Sequence, residues 1–146
     1  MSRLDRNVSI DAPTAVVWRV MADVEHWPDW TPTILAVKPR WTGLFGVGSS
    51  ALVTPRGRGE APWTVTEFEP GRSFTWETKS GASLWVIGGH VVEPDGAGAR
   101  VTLSISTRGA AAPLFSWLVA RLSRRNVEQE AASLKRRSEE LARTTA

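Results

Sequence analysis

Two side chains, His90 and Glu67, are the candidates for acid–base chemistry in this sequence. His90 follows Gly88-Gly89 in an apolar stretch, and an imidazole that titrates near neutrality can act as an acid or a base. Glu67 falls on the apolar side of a predicted strand, where a carboxyl group can transfer protons. Surface or structural roles remain open for both residues, and strict alternation directs His90 outward unless the two glycines form a bulge.

Other kinds of reactive site are disfavoured by the composition. The chain has no cysteine and only two histidines, which excludes disulfides and thiol chemistry and argues against a structural zinc site. No nucleophile–base pair, phosphate-binding glycine loop or metal-ligand cluster is visible. We therefore expect neither a metal nor a cofactor.

Tryptophan is the most informative residue type, with eight copies against no tyrosine among 146 residues. Eight indoles are many for a core of this size, so an aromatic-lined cavity is a reasonable expectation. A filled core without ligand volume is the alternative. The candidate ligand-binding residues are Trp30, Trp63, Phe74, Trp76, Trp85, Ile87, Leu103, Phe115, Leu118 and Leu122.

The hydrophobic pattern predicts an α+β chain. It indicates a strand at 4–10, a helix at 13–23, a short helical segment at 25–30 and strands at 34–40, 50–54, 63–68, 73–78, 83–92 and 100–106. A long helix is predicted at 113–142. The short turns at Pro70-Gly71, Ser80-Gly81 and Asp95-Gly96 imply antiparallel neighbours.

The strand register follows if Pro70-Gly71 and Ser80-Gly81 are two-residue loops. Trp76 then lies opposite Val65 on one side and Trp85 on the other, and Phe74 lies opposite Ile87. This register gathers the large apolar residues of the middle strands on one face. We expect that face to turn toward the long helix, whose Phe115, Leu118 and Leu122 would form the opposing wall, although plain helix packing is the alternative for these three residues.

Charge gives little support for a nucleic-acid partner. The net charge is +3, and 18 basic residues face 15 acidic ones along the whole chain. The densest basic stretch, Arg121 to Arg137, is interleaved with Glu128, Glu130 and apolar residues, which is typical of the solvated side of a helix. At a hairpin tip, Arg56 and Arg58 are either solvated or placed to meet an anionic ligand.

Several segments resemble the polyketide cyclase/dehydrase and lipid-transport family of the START-like (SRPBCC, birch-pollen-allergen-like) superfamily. They are Ser9-Ile-Asp-Ala-Pro-Thr-Ala-Val-Val-Trp18, Asp23, His26-Trp-Pro-Asp-Trp30, Val65-Thr-Glu-Phe-Glu-Pro-Gly71, Glu93-Pro94, Arg100-Val-Thr102, Leu134-Lys135 and Glu139. The resemblance spans nearly the whole chain. It implies one helix-grip domain over 1–146, in which a curved seven-stranded antiparallel sheet with two short helices after its first strand wraps a long C-terminal helix around a cavity.

Three kinds of function fit this chain. The first is binding of a hydrophobic small molecule, such as a lipid, quinone or polyketide-like compound. The second is a cyclase- or dehydratase-type enzyme, although aromatase/cyclases place tyrosines in the cavity and this chain has none. The third is a surface module that uses the basic face of the last helix to touch a partner or a membrane.

The N-terminal residues carry no apolar run that reads as a signal peptide or a membrane span. We therefore expect a cytoplasmic protein with no stable membrane insertion. The preceding patterns add the expectation of a hydrophobic small-molecule ligand and no nucleic-acid partner, in a monomer or homodimer.

Overall fold

The predicted order of elements is confirmed in the computed structural model, which describes residues 3–145. The elements are β1 (Leu4–Ile10), α1 (Thr14–Ala22), a 3₁₀ helix (Val24–Asp29), β2 (Ile34–Pro39), β3 (Ser50–Pro55), β4 (Ala61–Glu69), β5 (Ser73–Lys79), β6 (Trp85–Asp95), β7 (Gly98–Arg108) and α2 (Ala112–Thr145).

All seven strands belong to one antiparallel sheet, in the order β1-β7-β6-β5-β4-β3-β2. Strands β2 to β7 therefore form a meander, and β1 pairs with β7 at the far edge. The sheet curls into a half-barrel, and α2 packs across its concave face against β1 and β7. This arrangement is the α+β helix-grip fold that the sequence predicts.

The sheet has a buried concave face because apolar residues alternate along its strands. In β7, Val101 and Leu103 are almost fully buried on that face, while the alternate residues Thr102 and Ser104 are only half-buried. In β5, Phe74 and Trp76 alternate with half-buried Thr75 and Glu77. A period of two places successive side chains on opposite faces, which gives the sheet one apolar side for α2.

The C-terminal half of α2 is fixed to the sheet by both packing and polar contacts. Ala131 and Leu134 are buried in the main core. The Nζ atom of Lys135 donates a 2.9 Å hydrogen bond to the backbone carbonyl of Ser9, and the backbone N–H of Asp11 donates one of 2.8 Å to Glu139. These bonds join α2 to the end of β1.

The β4–β5 register is confirmed at Val65, which pairs with Trp76 as predicted. An irregularity between Val65 and Glu67 then shifts the pairing, so that Phe68 lies opposite Phe74. A bulge changes which side chains reach which face. It turns Glu67 outward, where its side chain is exposed, and this corrects the placement of Glu67 on the apolar face.

The predicted β5–β6 register is wrong by an odd number of residues. Trp76 pairs with Gly88 instead of Trp85, and Phe74 pairs with His90 instead of Ile87. The connection is longer than two residues: it runs over 80–84 and is closed by a 2.7 Å hydrogen bond from the Ser80 N–H to the Leu84 carbonyl. Because side chains alternate along a strand, an odd shift moves every one in β6 to the other face.

Trp85 and Ile87 consequently lie on the outer face of the sheet, not on the concave one. The Trp85 ring is flanked by two cations, with the Lys79 Nζ atom 5.0 Å and the Arg108 guanidinium carbon 4.5 Å from the ring centre. Arg108 is also paired with Glu77. Trp85 therefore belongs to a surface cation–π cluster and has no access to the interior.

A cluster of rings joins the 3₁₀ helix to the sheet. Trp27 is buried, and its indole N–H donates a 3.0 Å hydrogen bond to the Met21 carbonyl. Its ring contacts Trp30 edge-on at 6.2 Å and Trp76 at 5.3 Å between centroids. Trp30 is only 6% exposed, and its carbonyl accepts a hydrogen bond from Arg136 of α2. The motif tryptophans thus hold the short helices against the end of the sheet.

Candidate functional site

A cavity of about 120 Å³ lies between the concave face of the sheet and α2. Three indoles, from Trp27, Trp63 and Trp76, line it together with aliphatic side chains of β3, β6 and β7. The exposed guanidinium of Arg58, in the β3–β4 turn, stands at its rim. The cavity thus has an aromatic wall and a basic group at its edge.

Gly88 shapes the aromatic wall by having no side chain. A Cβ atom at this position would lie 3.3 Å from the Trp76 indole and 3.7 Å from Trp63, closer to Trp76 than most real Cβ contacts. The glycine therefore lets the Trp76 ring rest on the backbone of β6. The Trp63 ring lies beside it, 5.6 Å away between centroids and tilted by 40°.

His90 points into the cavity from β6, two residues beyond Gly88. Its Nδ1 atom is 3.2 Å from the Phe74 carbonyl, an acceptor, so Nδ1 carries the proton and Nε2 keeps a free lone pair. The imidazole is stacked on the Phe74 ring at 4.2 Å and 11°. Burial lowers the pKa of His90 to about 4, although the hydrogen bond to Phe74 opposes this shift. The ring is therefore neutral at physiological pH.

Glu130 faces His90 from α2. Its Oε1 atom lies 4.0 Å from the His90 Nε2 atom, and only 17% of its side chain is exposed. Burial raises the pKa of Glu130 to about 7, because an ionised carboxylate is poorly solvated there. Near neutral pH the site therefore combines a neutral imidazole acceptor with a carboxyl group that is protonated in part of the molecules.

The structure brings together only some of the sequence-predicted ligand-binding residues. Trp63, Trp76 and Leu103 line the cavity. Phe74 lies directly behind the His90 ring and is fully buried. Trp30 is packed in the core beside Trp27 and does not line this cavity. Whether a ligand contacts these residues stays a prediction.

The predicted helical wall of the cavity requires correction. Phe115 and Leu122 point into solvent, with 44% and 56% of their surface exposed, and Leu118 is half-buried outside the cavity. The helix residues that do line the cavity are Ser123, Asn126, Val127 and Glu130. The size of these apolar residues predicts an inward position, whereas α2 turns a smaller and more polar side toward the sheet.

The charge pattern of α2 places Glu130 on a solvated side of the helix, and this prediction is wrong. A usable signal exists: Glu130 follows Val127 by three residues and precedes Leu134 by four, a spacing that places all three on one helical face. Val127 and Leu134 are buried. A carboxylate at helical spacing between two apolar residues indicates an interior position.

Among residues 3–145, no three histidine or carboxylate side chains come close enough to hold a metal ion. The polar residues that line the cavity are instead His90, Glu130, Asn126, Ser123, Thr33, Ser104 and, at the rim, Arg58. Such groups can orient an organic ligand by hydrogen bonds.

A helix-grip fold with a cavity between sheet and helix defines the class of this protein. The chain belongs to the polyketide cyclase/dehydrase and lipid transport family, which matches residues 1–139. No match was found among curated proteins. Within the described residues, α2 and the shorter helices lack the run of apolar residues needed to cross a membrane.

Solved structures share the fold at low sequence identity. The aromatase/cyclase ZhuI from Streptomyces sp. R1128 has a TM-score of 0.70 and 18% identity, covering 94% of this chain and 93% of the other. The hypothetical protein jhp0584 from Helicobacter pylori reaches 0.78 at 16% identity, over 94% and 88% of the two chains. Ara h 8.0201 has a TM-score of 0.73 and 13% identity, covering 94% of this chain and 97% of the other. These similarities describe the fold alone.

Proposed function

We propose that this protein binds a hydrophobic, ring-bearing small molecule in the cavity between the sheet and α2. The observation that carries the proposal is the pairing of an indole wall, formed by Trp27, Trp63 and Trp76, with two inward polar groups, His90 and Glu130. Apolar ligand sites are typically lined by aromatic side chains and oriented by a few polar ones. A filled core has no need of a carboxyl group at its centre.

The size of the cavity limits what fits without movement. At about 120 Å³, it approaches the volume of roughly 150 Å³ that holds one benzene in a closed apolar cavity. One ring of the ligand therefore fits between the indoles and α2. A larger polyketide-like or quinone ligand extends past Arg58 toward solvent or displaces α2.

The polar pair favours a ligand that carries a hydroxyl or carbonyl group on its ring. The Nε2 atom of His90 accepts a hydrogen bond, and protonated Glu130 donates one. A phenol or enol oxygen can satisfy both, because it donates through its hydrogen and accepts through its lone pairs. Hydrogen bonds of this kind give orientation, and burial of the ring gives most of the affinity, at roughly 25 cal/mol per Å².

Titration with 2-naphthol, followed by tryptophan fluorescence and native mass spectrometry, tests the proposal. The Ser123→Phe variant places a ring in the cavity, and Leu122→Phe, one residue earlier, places the same ring in solvent. We expect saturable quenching in the wild type and in Leu122→Phe and its loss in Ser123→Phe. No quenching in the wild type, or equal affinity in both variants, would count against this site.

The His90–Glu130 pair also favours a second candidate, an enzyme of the cyclase or dehydratase type. Such reactions begin by removing a proton next to a carbonyl group and protonating an oxygen. Neutral His90 can accept the proton, while protonated Glu130 can donate to the carbonyl oxygen. Glu67, the other candidate from the sequence, lies on the outer face and takes no part.

Hydrogen–deuterium exchange at the α position of 2-tetralone, measured by NMR, tests this candidate. We expect faster exchange with the wild type than in buffer, reduced on the order of tenfold or more in His90→Phe and in Glu130→Gln. Glu67→Gln serves as the matched control and should leave the rate unchanged. Equal exchange in all four samples would remove the catalytic candidate and leave binding as the proposal.

A further inference from the structure

The first turns of α2 carry their large apolar side chains on the outside. Leu114, Phe115, Trp117 and Leu122 are 71%, 44%, 54% and 56% exposed. The inward positions of the same turns are occupied by small residues, among them Ala112, which is fully buried. A helix on a water-facing surface normally has the reverse arrangement, so this stretch needs an apolar environment on its outer side.

The exposed side chains form one surface because of their spacing. Leu114 and Leu122 are exposed, and half-buried Leu118 lies between them in one row along the helix, at a spacing of four residues. Trp117 lies beside this row. The Trp117 indole N–H donates to the Leu114 carbonyl at 3.1 Å, which keeps its ring along the helix. We call these residues, with Phe115, the outer apolar surface of α2.

Three arginines follow the outer apolar surface along α2, in the turns that also carry cavity-lining residues. Arg121, Arg124 and Arg125 are exposed, and within residues 3–145 none of them forms an ion pair with a carboxylate. The stretch from Gly96 to Val127 contains no aspartate or glutamate. Exposed leucine, phenylalanine and tryptophan next to unpaired arginines are typical of helices that lie in the headgroup region of an anionic membrane.

We propose that the outer apolar surface of α2 and its three arginines dock this protein onto a membrane that contains anionic lipids. The tryptophan and the leucines enter the interface, and the guanidinium groups reach the lipid phosphates. A second copy of the chain fits less well, because a symmetric dimer would place against the three arginines the same surface, whose stretch of sequence carries no carboxylate. Docking is peripheral and does not depend on which ligand occupies the cavity.

Ser123 and Asn126, which line the cavity, belong to the same turns of α2 as the arginines. A membrane at the outer side of these turns is therefore close to the ligand cavity, separated from it by the thickness of one helix. This position suits exchange of a hydrophobic molecule with the lipid phase.

Labelling at an introduced cysteine gives a direct test, because the chain has no cysteine of its own. Ala110→Cys, exposed just before α2, and Ala97→Cys, exposed in the β6–β7 turn at the opposite end of the sheet, each carry an environment-sensitive fluorophore. With phosphatidylcholine vesicles that contain phosphatidylserine, we expect a blue shift for the label at 110 and none for the label at 97.

Three sets of variants separate the apolar and the charged contributions. We expect W117S/L122S and R124Q/R125Q each to weaken vesicle binding on the order of tenfold or more. Leu44→Ser removes a leucine that is 96% exposed in a distant loop and should leave binding unchanged. Added salt should weaken binding.

Several outcomes would overturn the proposal. They are equal binding to vesicles with and without phosphatidylserine, a similar loss in Leu44→Ser, or no binding by a folded wild-type chain. Self-association that W117S/L122S abolishes, in the absence of vesicle binding, would assign the surface to a second copy instead. Far-UV circular dichroism and urea unfolding serve as the independent check that each variant keeps its fold.

Discussion

The Nε2 atom of His90 and the Oε1 atom of Glu130 face each other across the cavity at 4.0 Å. This separation is too long for a direct hydrogen bond, so each group retains capacity for another partner. One oxygen atom of a ligand, placed to one side of the line between them, can contact both. The pair comes from β6 and α2, and its geometry therefore depends on how α2 is seated against the sheet.

The free lone pair of His90 should distinguish two ligands of similar shape. We expect 2-naphthol to bind more tightly than 2-methoxynaphthalene by on the order of tenfold, because only the first can donate to Nε2. In His90→Phe, whose ring keeps the stacking on Phe74, the two affinities should become equal. Fluorescence titration measures both.

If 2-methoxynaphthalene binds as tightly as 2-naphthol to the wild type, His90 does not accept a hydrogen bond from the ligand. Arg58→Gln is the control at the rim of the cavity. Since neither probe is charged, its affinities should stay as in the wild type.

Glu130→Gln should change the pH dependence of stability. Burial raises the pKa of Glu130 to about 7 from its ordinary value of 4.5. At a pH between these two pKa values, Glu130 is therefore protonated in the folded chain and ionised in the unfolded chain. This contribution to stability is fully present at low pH and is lost as the pH rises through 7. The variant, which cannot ionise, should gain stability relative to the wild type by roughly 1–3 kcal/mol between about pH 4.5 and pH 8.

Urea unfolding at the two pH values measures this difference. His90 acts in the opposite direction, because burial lowers its pKa to about 4 from 6.5 and its contribution is lost as the pH falls from 6.5 to 4. The His90 contribution is present in both the wild type and Glu130→Gln, so to first order it cancels in the difference between their free energies of unfolding. A difference between the chains that does not change with pH would show that Glu130 is ionised in the folded state.

Substitution by leucine should lower ligand affinity at Trp76 and only stability at Trp85. Trp76→Leu removes part of the cavity wall, so the affinity for 2-naphthol should fall on the order of tenfold. Trp85→Leu removes only the ring between Lys79 and Arg108, which should lower the free energy of unfolding by about 1 kcal/mol and leave affinity unchanged. Reduced binding in Trp85→Leu would contradict the observed strand register.

Ser138→Ala should be neutral or stabilising by up to about 1 kcal/mol. The Ser138 side chain is fully buried in α2, and among residues 3–145 its hydroxyl has no hydrogen-bond partner. Removing the hydroxyl group removes the cost of burying it without a hydrogen bond, and alanine also has a higher helix propensity than serine. Thermal unfolding measures the effect. The control is Ala132→Ser, the opposite exchange at an exposed position of the same helix. A destabilised Ser138→Ala would mean that the hydroxyl is bonded in solution.

Periodicity was enough to predict the elements, the concave face of β5, β7 and the first part of β4, and the Val65–Trp76 pair. Beyond Val65 the bulge in β4 turns Glu67 away from the predicted face. It failed at β6 because a single assumption, a two-residue loop after Lys79, decides the face of every residue in that strand. The five residues from Ser80 to Leu84 contain no signal that distinguishes a short loop from a longer one. His90 consequently points inward through loop length, without the bulge at Gly88-Gly89 that the sequence suggested.

The site itself was predicted less well than the sheet. Size and hydrophobicity indicated that Phe115 and Leu122 face the cavity, yet the helical face is chosen by the later turns, where Val127, Ala131 and Leu134 pack in the core. A straight helix has one orientation, so those contacts turn the earlier leucines outward and bring Glu130 inward. Tertiary packing far from the site decides which groups line it.

The attachment of α2 at one end has a mechanical consequence. Lys135, Glu139 and Leu134 fix its second half, whereas the turns from Ala112 to Ser123 rest on small side chains. Ala112 lies about 28 Å from Ala131 along the axis at 1.5 Å per residue, so a tilt of about 5° moves that end by roughly 2.5 Å. Such a tilt would open the space beneath the Ala112 end of α2 by more than half the diameter of a carbon atom. It would move the cavity-lining Ser123, eight residues from Ala131, by only about 1 Å.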